Sequence, residues 1–459
     1  MRRNNNRLCY SSGFHSFTRM FVTVSYESFT REAGARFGRY SRGNRGELGD
    51  AIEDHANEVA AWQRDPLTAP RLMEGLLETA SNPMMLMEAW NTLSACGGKA
   101  SGPDGLQYSD FDQPSLLWEY LRDISTEIRA GRFRRGKVRK VRVPKPGKQD
   151  HRVIHVANIG TRTVSRAVLE TVQPILDPSF MPLSVGFRPR RNRLHGLAAA
   201  DLLVREQGLT QWLVFDLRNA FDVVPRQRLM DLVAKRLSQS PICTLIAELI
   251  RGKGKRGIPQ GSCISSLLLN LYVDHLFDRK WTHRSGCPCI RYADDFVVLC
   301  PFTTHSQQTF NEAITLLQVA GFHVKESYAT AFCNLATGDT AEWLGFQVTL
   351  APDGGLQFGL AEKSWWRLDE RLSQCLAKQQ SQEHATSISR GWLAAMAIAI
   401  DQTQLPPVVQ RIESTAQQYG FDGLALEALA LPTWHRAQET WQRARQEVQS
   451  WFSDPAITI

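Results

Sequence analysis

No CxxC pair occurs among the nine cysteines of this 459-residue chain, an odd and scattered set, so neither a disulfide framework nor a zinc ribbon is indicated and a reducing compartment, the cytoplasm, fits best. Cys287 and Cys289 lie close to His283, but a CxC spacing without an evident fourth ligand reads as ordinary thiols. Long apolar runs are also missing. Leu393–Ile400 is strongly apolar yet spans eight residues, against the roughly 18 that a membrane crossing needs, so no transmembrane segment is expected. The 32 glycines and 21 prolines are spread thinly, which excludes collagen-like and low-complexity architectures. With 43% hydrophobic and 22% charged residues the chain is globular, and its length suits two to four domains.

Acidic residues are absent from Met1 to Tyr26, where Arg2, Arg3, Arg7 and Arg19 stand. That composition belongs to nucleic-acid-binding arms and to organellar transit peptides alike; the stretch lacks the apolar core of a secretory signal, and Met20 is an alternative start. The net charge of +8 is unevenly placed. Between Arg129 and Arg152 there are eleven Lys and Arg and one acid, Asp150; further clusters hold Arg188, Arg190, Arg191 and Arg193, then Arg251, Lys253, Lys255 and Arg256. Runs of one sign repel themselves, so these point to a phosphate-bearing partner, with Arg134, Arg135, Lys140, Arg188, Arg191, Lys253 and Lys255 as candidate contacts.

Helical periodicity predicts helices over 49–62 and 69–93, ending at Gly97-Gly98. Val141 to Pro144 alternates as a strand does. In QWLVFDLRNAFDVV (211–224) an apolar strand, Trp212 to Phe215, delivers Asp216 at its end, and a helix is expected from Pro225. A long apolar helix is expected over 265–277, then two short strands over 290–300 with Asp294 and Asp295 at the turn. Beyond Gly354-Gly355 the pattern reads as almost wholly helical: Trp365, Leu368, Leu372 and Cys375 share one stripe, and Trp434, Ala437, Trp441, Ala444, Val448 and Trp451 repeat at heptad spacing.

The adjacent aspartates stand out because the arms of their hairpin, IRY and FVVL, are too apolar for a solvated turn. Like charges side by side away from water are costly unless a cation neutralises them. Asp216, ending another apolar strand, supplies a third carboxylate, and hard oxygen ligands from two strands suit a pair of Mg2+ ions, with Mn2+ a workable substitute. The chemistry indicated is in-line phosphoryl or nucleotidyl transfer.

YADD at 292–295, FDLRNAFD at 215–222 and GIPQGSCISSLLLN at 257–270 resemble, in order, the palm motifs of reverse transcriptases of the group II intron-like prokaryotic type. The resemblance runs from about Lys99 to Phe346, through VPKPGKQDHRVI (143–154), SVGFRPRRN (184–192) and EWLGF (342–346); SRGW at 389–392 is similar to the maturase thumb. It implies an α+β right-hand polymerase with fingers, a palm on an antiparallel sheet and a helical thumb. The corresponding divisions are 1–95 (basic extension and helices), 96–205 (fingers), 206–350 (palm) and 351–459 (thumb). By the same resemblance Asp216, Asp294 and Asp295 are catalytic and bind the metal ions, while Lys145, Arg152, Phe221 and Gln260 form the nucleotide site. Phe221 matches the gate at the sugar 2′ position, Lys145 and Arg152 hold the triphosphate, and Gln260 touches the nascent pair. Two positions depart from the family pattern: Ser265-Ser266 replaces Ser-Pro, and Ala329 stands where a lysine precedes Thr, with Lys325 near.

The implied activity is RNA-directed DNA polymerisation from dNTPs on a structured noncoding RNA, with an RNA/DNA duplex in the cleft and protein partners unspecified. No HNH, zinc-finger, RNase H-like or integrase segment is evident after the thumb, which suggests a stand-alone enzyme, and antiviral defence is a common role for that group. The alternatives are a maturase-like splicing factor and an untemplated or protein-primed DNA polymerase.

Overall fold

The computed structural model describes residues 59, 69–96, 100–144, 151–302 and 305–453. Apart from Val59, the expected helix over 49–62 lies outside them, as do the turn at Gly97-Gly98 and Lys145. The pattern over 69–93 is two helices, α1 (Ala69–Ser81) and α2 (Pro83–Cys96). Asn82 breaks it because a residue before proline is pushed out of the helical region, and its side chain accepts from the Met84 amide at 2.9 Å. α3 (Pro114–Arg129) starts with proline in its first turn and buries Leu117, Leu121, Ile124 and Ile128. An antiparallel hairpin follows, β1 (Val138–Pro144) on β2 (His151–Ala157). The buried helix α4 (Ile159–Leu176) runs behind it, against α2.

After α5 (Arg193–Gln207) comes the central strand β3 (Gln211–Asp216). α6 (Arg226–Arg236), α7 (Ile242–Leu249) and α8 (Cys263–Val273) precede a π-helical turn, Asp274–Asp278, which passes into α9 (Arg279–Arg284). β4 (Cys289–Tyr292) and β5 (Asp295–Cys300) form the next hairpin, followed by α10 (Ser306–Val319) and β6 (Phe332–Asn334). These strands make one antiparallel sheet in the order β4-β5-β3-β6. Both its faces are covered. Leu213, Phe215, Phe296 and Val298 join a core with α1–α4, α8 and α10, while Trp212, Ile290, Val297 and Leu299 join a second core with α5 and the C-terminal helices. That is why the strands read as apolar runs and not as alternations.

A second antiparallel sheet is the meander β7 (Ala341–Trp343), β8 (Phe346–Leu350), β9 (Leu356–Leu360). β9 is the exception to the almost wholly helical pattern expected beyond Gly354-Gly355: Asp353-Gly354-Gly355 is a hairpin turn, with Gly354 at φ 84°, and the strands pair Leu350 with Leu356. The rest is helical: α11 (Glu362–Ala377), α12 (Gln382–Met396), α13 (Leu405–Gln417) and α14 (Leu426–Ser453). Trp365, Leu368, Leu372 and Cys375 are buried on α11. α14 buries Trp441, Ala444 and Val448 and turns back to pack along α5. The architecture is α+β: among the described residues a two-stranded hairpin, a four-stranded sheet and a three-stranded meander, all antiparallel, are embedded in helices.

Candidate active site

Asp216 sits at the end of β3 and pairs in register with Asp295, the first residue of β5. The β4–β5 connection is a two-residue turn, Ala293-Asp294, between the paired Tyr292 and Asp295. Ala293 adopts φ 62°, a left-handed conformation that costs a residue bearing a Cβ about 1 kcal/mol or more. The Asp294 carbonyl accepts from the Leu217 amide at 3.0 Å, which ties the turn to the end of β3.

A second segment reaches the same place. Leu217 bridges to Val324, the Lys325 amide donates to the Asp216 carbonyl at 3.0 Å, and the Asp216 amide donates to Glu326 Oε2 at 2.8 Å. The Lys325 ammonium is ion-paired with Asp216 Oδ2. Asp216 Oδ1 is buried with no hydrogen-bond partner. Burial first and the neighbouring Asp294 charge second raise the Asp216 carboxyl from 3.8 to about 6, against the opposing pull of Lys325. Asp295 exerts its charge on the Tyr292 hydroxyl, which burial raises.

An orphaned buried carboxylate oxygen beside a second carboxylate fits a divalent cation, which would relieve both the repulsion and the missing contact. Among the described residues no three carboxylate, imidazole or thiolate side chains converge into a ready-made cage. The sheet pairs Asp216 with Asp295, and the charge of Asp294, in the adjoining turn, is felt at the Asp216 carboxyl.

Phe221 lies in the single helical turn Ala220–Val223, half-buried, with its ring edge-on to Phe187 at 6.3 Å. Its carbonyl accepts from the Ile258 amide at 2.8 Å, so the PQG segment runs alongside the chain leaving Asp216. Gly257, at φ 88°, leaves room for the Asp222 carbonyl, which a Cβ would meet at 3.0 Å. The Gln260 carbonyl accepts from the His155 amide of β2 at 2.9 Å, joining the β1–β2 hairpin to this turn. Arg152 belongs to the same strand; its side chain lies outside the described residues.

The basic candidates divide. Arg134, Lys140, Lys253 and Lys255 are exposed. Arg135 is half-buried and donates to the Leu249 carbonyl at 3.1 Å. Arg188 corrects the expectation of a phosphate contact: it is 4% exposed, and its five N–H groups are engaged by Asp177, Met181 and Ser184. Arg191 is also a correction. It bonds the Pro182 carbonyl and lies 4.2 Å over the Trp451 ring, and burial, aided by Arg188, lowers it to about 9. The cluster looked like surface because its counter-charge, Asp177, is eleven residues away in sequence. Sequence reasoning missed Glu326, and it missed a buried hub around Arg291 for which no periodicity gives a signal.

Residues 143–348 match the family described as reverse transcriptase (RNA-dependent DNA polymerase). The chain carries a reverse transcriptase domain. RNA-directed DNA polymerisation, a nucleotidyl transfer, is the activity for which that family is described. Among curated relatives it is 28% identical to Protein YkfC of Escherichia coli over 57% of this chain and 79% of that protein. It is 26% identical to the group II intron-encoded protein LtrA of Lactococcus lactis over 34% of this chain and 28% of LtrA. It is likewise 26% identical to a putative COX1/OXI3 intron 2 protein of Saccharomyces cerevisiae over 44% of this chain and 24% of that one. The reverse transcriptase domain is thus group II intron-like, and the chain spans only about a quarter of the length of these intron proteins. Superpositions on solved structures are loose. Telomerase from Candida tropicalis with a telomeric RNA fragment gives a TM-score of 0.39 at 13% identity, over 71% of this chain and 65% of that one. A Cas6-RT-Cas1–Cas2 complex gives 0.32 at 17%, over 53% and 42%. Among the described residues no helix is long and apolar enough to cross a membrane.

Proposed function

We propose that this reverse transcriptase copies a structured noncoding RNA into DNA from dNTPs, and that Asp216, Asp294 and Asp295 are its catalytic carboxylates. The observation that carries the site assignment is the buried, partnerless Oδ1 of Asp216 beside Asp294. A pair of divalent cations held there, Mg2+ or in its place Mn2+, would supply Lewis acidity for a primer 3′-hydroxyl and counter-charge for the leaving pyrophosphate. Asp216 at the end of β3 and Asp294 in the β4–β5 turn would hold them, with Asp295 at the start of β5 completing the cluster. Phe221 presses on the sugar and excludes a 2′-hydroxyl, Gln260 meets the nascent pair, and Lys145 and Arg152 grip the triphosphate. Arg134, Lys140, Lys253 and Lys255 contact the phosphates of an RNA/DNA duplex. On this reading residues 96–205 are the fingers, 206–350 the palm and 351–459 the thumb. A cytoplasmic role in antiviral defence is inferred from family likeness.

Sequencing the RNA and DNA that copurify with wild type and with the Asp294→Ala, Asp295→Ala double variant tests this. One discrete RNA in both samples, with complementary DNA only in wild type, is the expected result. RNA without DNA in either favours a maturase-like splicing role, the reading that likeness to LtrA supports. DNA unrelated to the bound RNA favours untemplated synthesis.

A further inference from the structure

The turn that presents Asp294 is built on a residue in an unfavourable conformation, and one buried guanidinium sits beneath it. Arg291 is 1% exposed. Its Nε and one terminal nitrogen clasp Asp278 at 2.6 to 3.0 Å. The same terminal nitrogen reaches Ser184 Oγ at 2.6 Å. The other donates to Asn270 Oδ1 at 2.8 Å and to the Ala293 carbonyl at 3.0 Å. Its five N–H donors are therefore all engaged, and one of them holds the left-handed residue that immediately precedes Asp294.

The hub's other members close on the same turn. Asn270 turns its Nδ2 to the Gly186 carbonyl at 2.7 Å. Gly186 crosses so close under the turn that a Cβ there would lie 2.3 Å from the Ala293 nitrogen. Asp278 ends the π-helical turn after α8, a local widening of the helix of the kind that recurs at functional sites. In that same turn Asp274 accepts from the Met181 amide at 2.7 Å, so both ends of the 181–186 segment are anchored to one helix.

We infer that Arg291, held by Asp278 and Asn270, is a positioning residue that fixes the Ala293 turn and thereby sets the Asp294 carboxylate against Asp216. The inference rests on the proposed reading of Asp294 as catalytic. A buried ion pair by itself adds little stability over a well-packed apolar pair, whereas a planar fork meeting four groups at once specifies geometry.

The test compares Arg291→Lys, Gly186→Ala and Asn270→Ala with Arg166→Lys, which perturbs another buried ion pair, Arg166–Glu170 on α4. Three quantities are read: thermal melting, kcat and KM for a dNTP on a primed RNA template, and Mn2+ affinity by electron paramagnetic resonance without substrate. The three hub variants are expected to melt cooperatively and to lose about tenfold to a hundredfold in kcat and Mn2+ affinity with KM within about twofold. Arg166→Lys is expected to lower the melting temperature and leave kcat and Mn2+ affinity at wild type. The double variant Arg291→Met, Asp278→Leu removes the pair without stranding a charge; it should regain stability and not kcat. If it regains both, or if the folded hub variants keep wild-type kcat and Mn2+ affinity, the inference is overturned. Should Arg291→Lys fail to fold, Gly186→Ala and Asn270→Ala decide on the same criteria. Asp294→Ala separates the two levels: continued synthesis removes the catalytic reading itself, while loss of synthesis alongside normal hub variants removes the positioning role alone.

Discussion

Lys325 neutralises one oxygen of Asp216 while the other oxygen of the same carboxylate is buried with no partner. The two residues are 109 positions apart, joined because the Val324 bridge to Leu217 lays the 323–326 segment against the end of β3. Burial and Asp294 raise Asp216 to about 6, and Lys325 works against both.

Removing that ammonium therefore shifts the carboxyl further up. If Asp216 acts as a carboxylate, the acid limb of kcat/KM, which reports the free enzyme, moves to higher pH in Lys325→Ala. Activity relative to wild type should fall more at pH 6.5 than at pH 8.5. A pH profile on a primed RNA template reads this directly, and an unmoved acid limb would remove Lys325 from the electrostatics of the site.

A carboxyl whose pKa is higher folded than unfolded destabilises the fold once ionised. For Asp216 the contribution to stability declines as pH rises from about 4 to about 6, and the full penalty persists above that. The shift corresponds at most to about 3 kcal/mol, and partial solvent access reduces it to about 1–2 kcal/mol. Asp216→Asn should abolish synthesis and, without metal, raise the melting temperature by about 2 °C or more at pH 7.5. The gain should shrink towards pH 4. Mg2+ should stabilise wild type and not the variant; equal melting curves at pH 7.5 would contradict the assigned burial of this charge.

What the sequence made legible was local. An apolar run ending in Asp216, and two apolar arms around Asp294 and Asp295, identify strands buried on both faces, because both cores need the same sheet. The proline after Asn82 was visible too, yet helical periodicity on either side hid the break. Gly354-Gly355 was read as a division between regions when it is the tip of the β8–β9 hairpin: a glycine pair marks a turn without saying whether a strand follows. Long-range pairings left no trace. Asp177 cancels the charge of Arg188, Asp278 that of Arg291, and Glu326 caps the Asp216 amide; nothing in the spacing of these residues announces the contact. Ala293 shows the same limit at shorter range, since its φ of 62° is imposed by neighbours and not by its own preference.

The last helix is fastened to α5 by an aromatic clasp. Trp451 stacks on the His195 ring, centroids 5.5 Å apart and 14° between planes, and the Arg191 guanidinium also lies over the indole, 4.2 Å from its centroid. Glu447, one turn earlier, accepts from His195 Nε2 at 2.8 Å. Trp451→Ala should cost about 1–3 kcal/mol, less than a fully buried tryptophan because the ring is only half covered. Chemical denaturation measures it, and increased hydrogen exchange should concentrate in 426–453. Exchange rising evenly over the chain would mean that α14 docks without this clasp.

Lys253 and Lys255 make the sharpest contrast with Arg188 among the basic residues. Their loop is wound around Arg226, whose guanidinium bonds the carbonyls of Gly252, Gly254, Arg256 and Gly257. With the carbonyls drawn inward, the lysine side chains are left to solvent. A Lys253→Ala, Lys255→Ala variant should therefore fold normally and bind an RNA/DNA duplex more weakly. If each lysine neutralises one phosphate, the slope of log K against log salt should become shallower by about 1.5–2. Arg188→Ala should behave oppositely. It leaves the partly buried Asp177 without its counter-charge, a loss of about 2–4 kcal/mol, while the salt slope of whatever protein remains folded stays at the wild-type value. Fluorescence anisotropy over a salt series, paired with melting curves, reads both quantities. An unchanged slope in the double-lysine variant would mean that the duplex does not touch the loop.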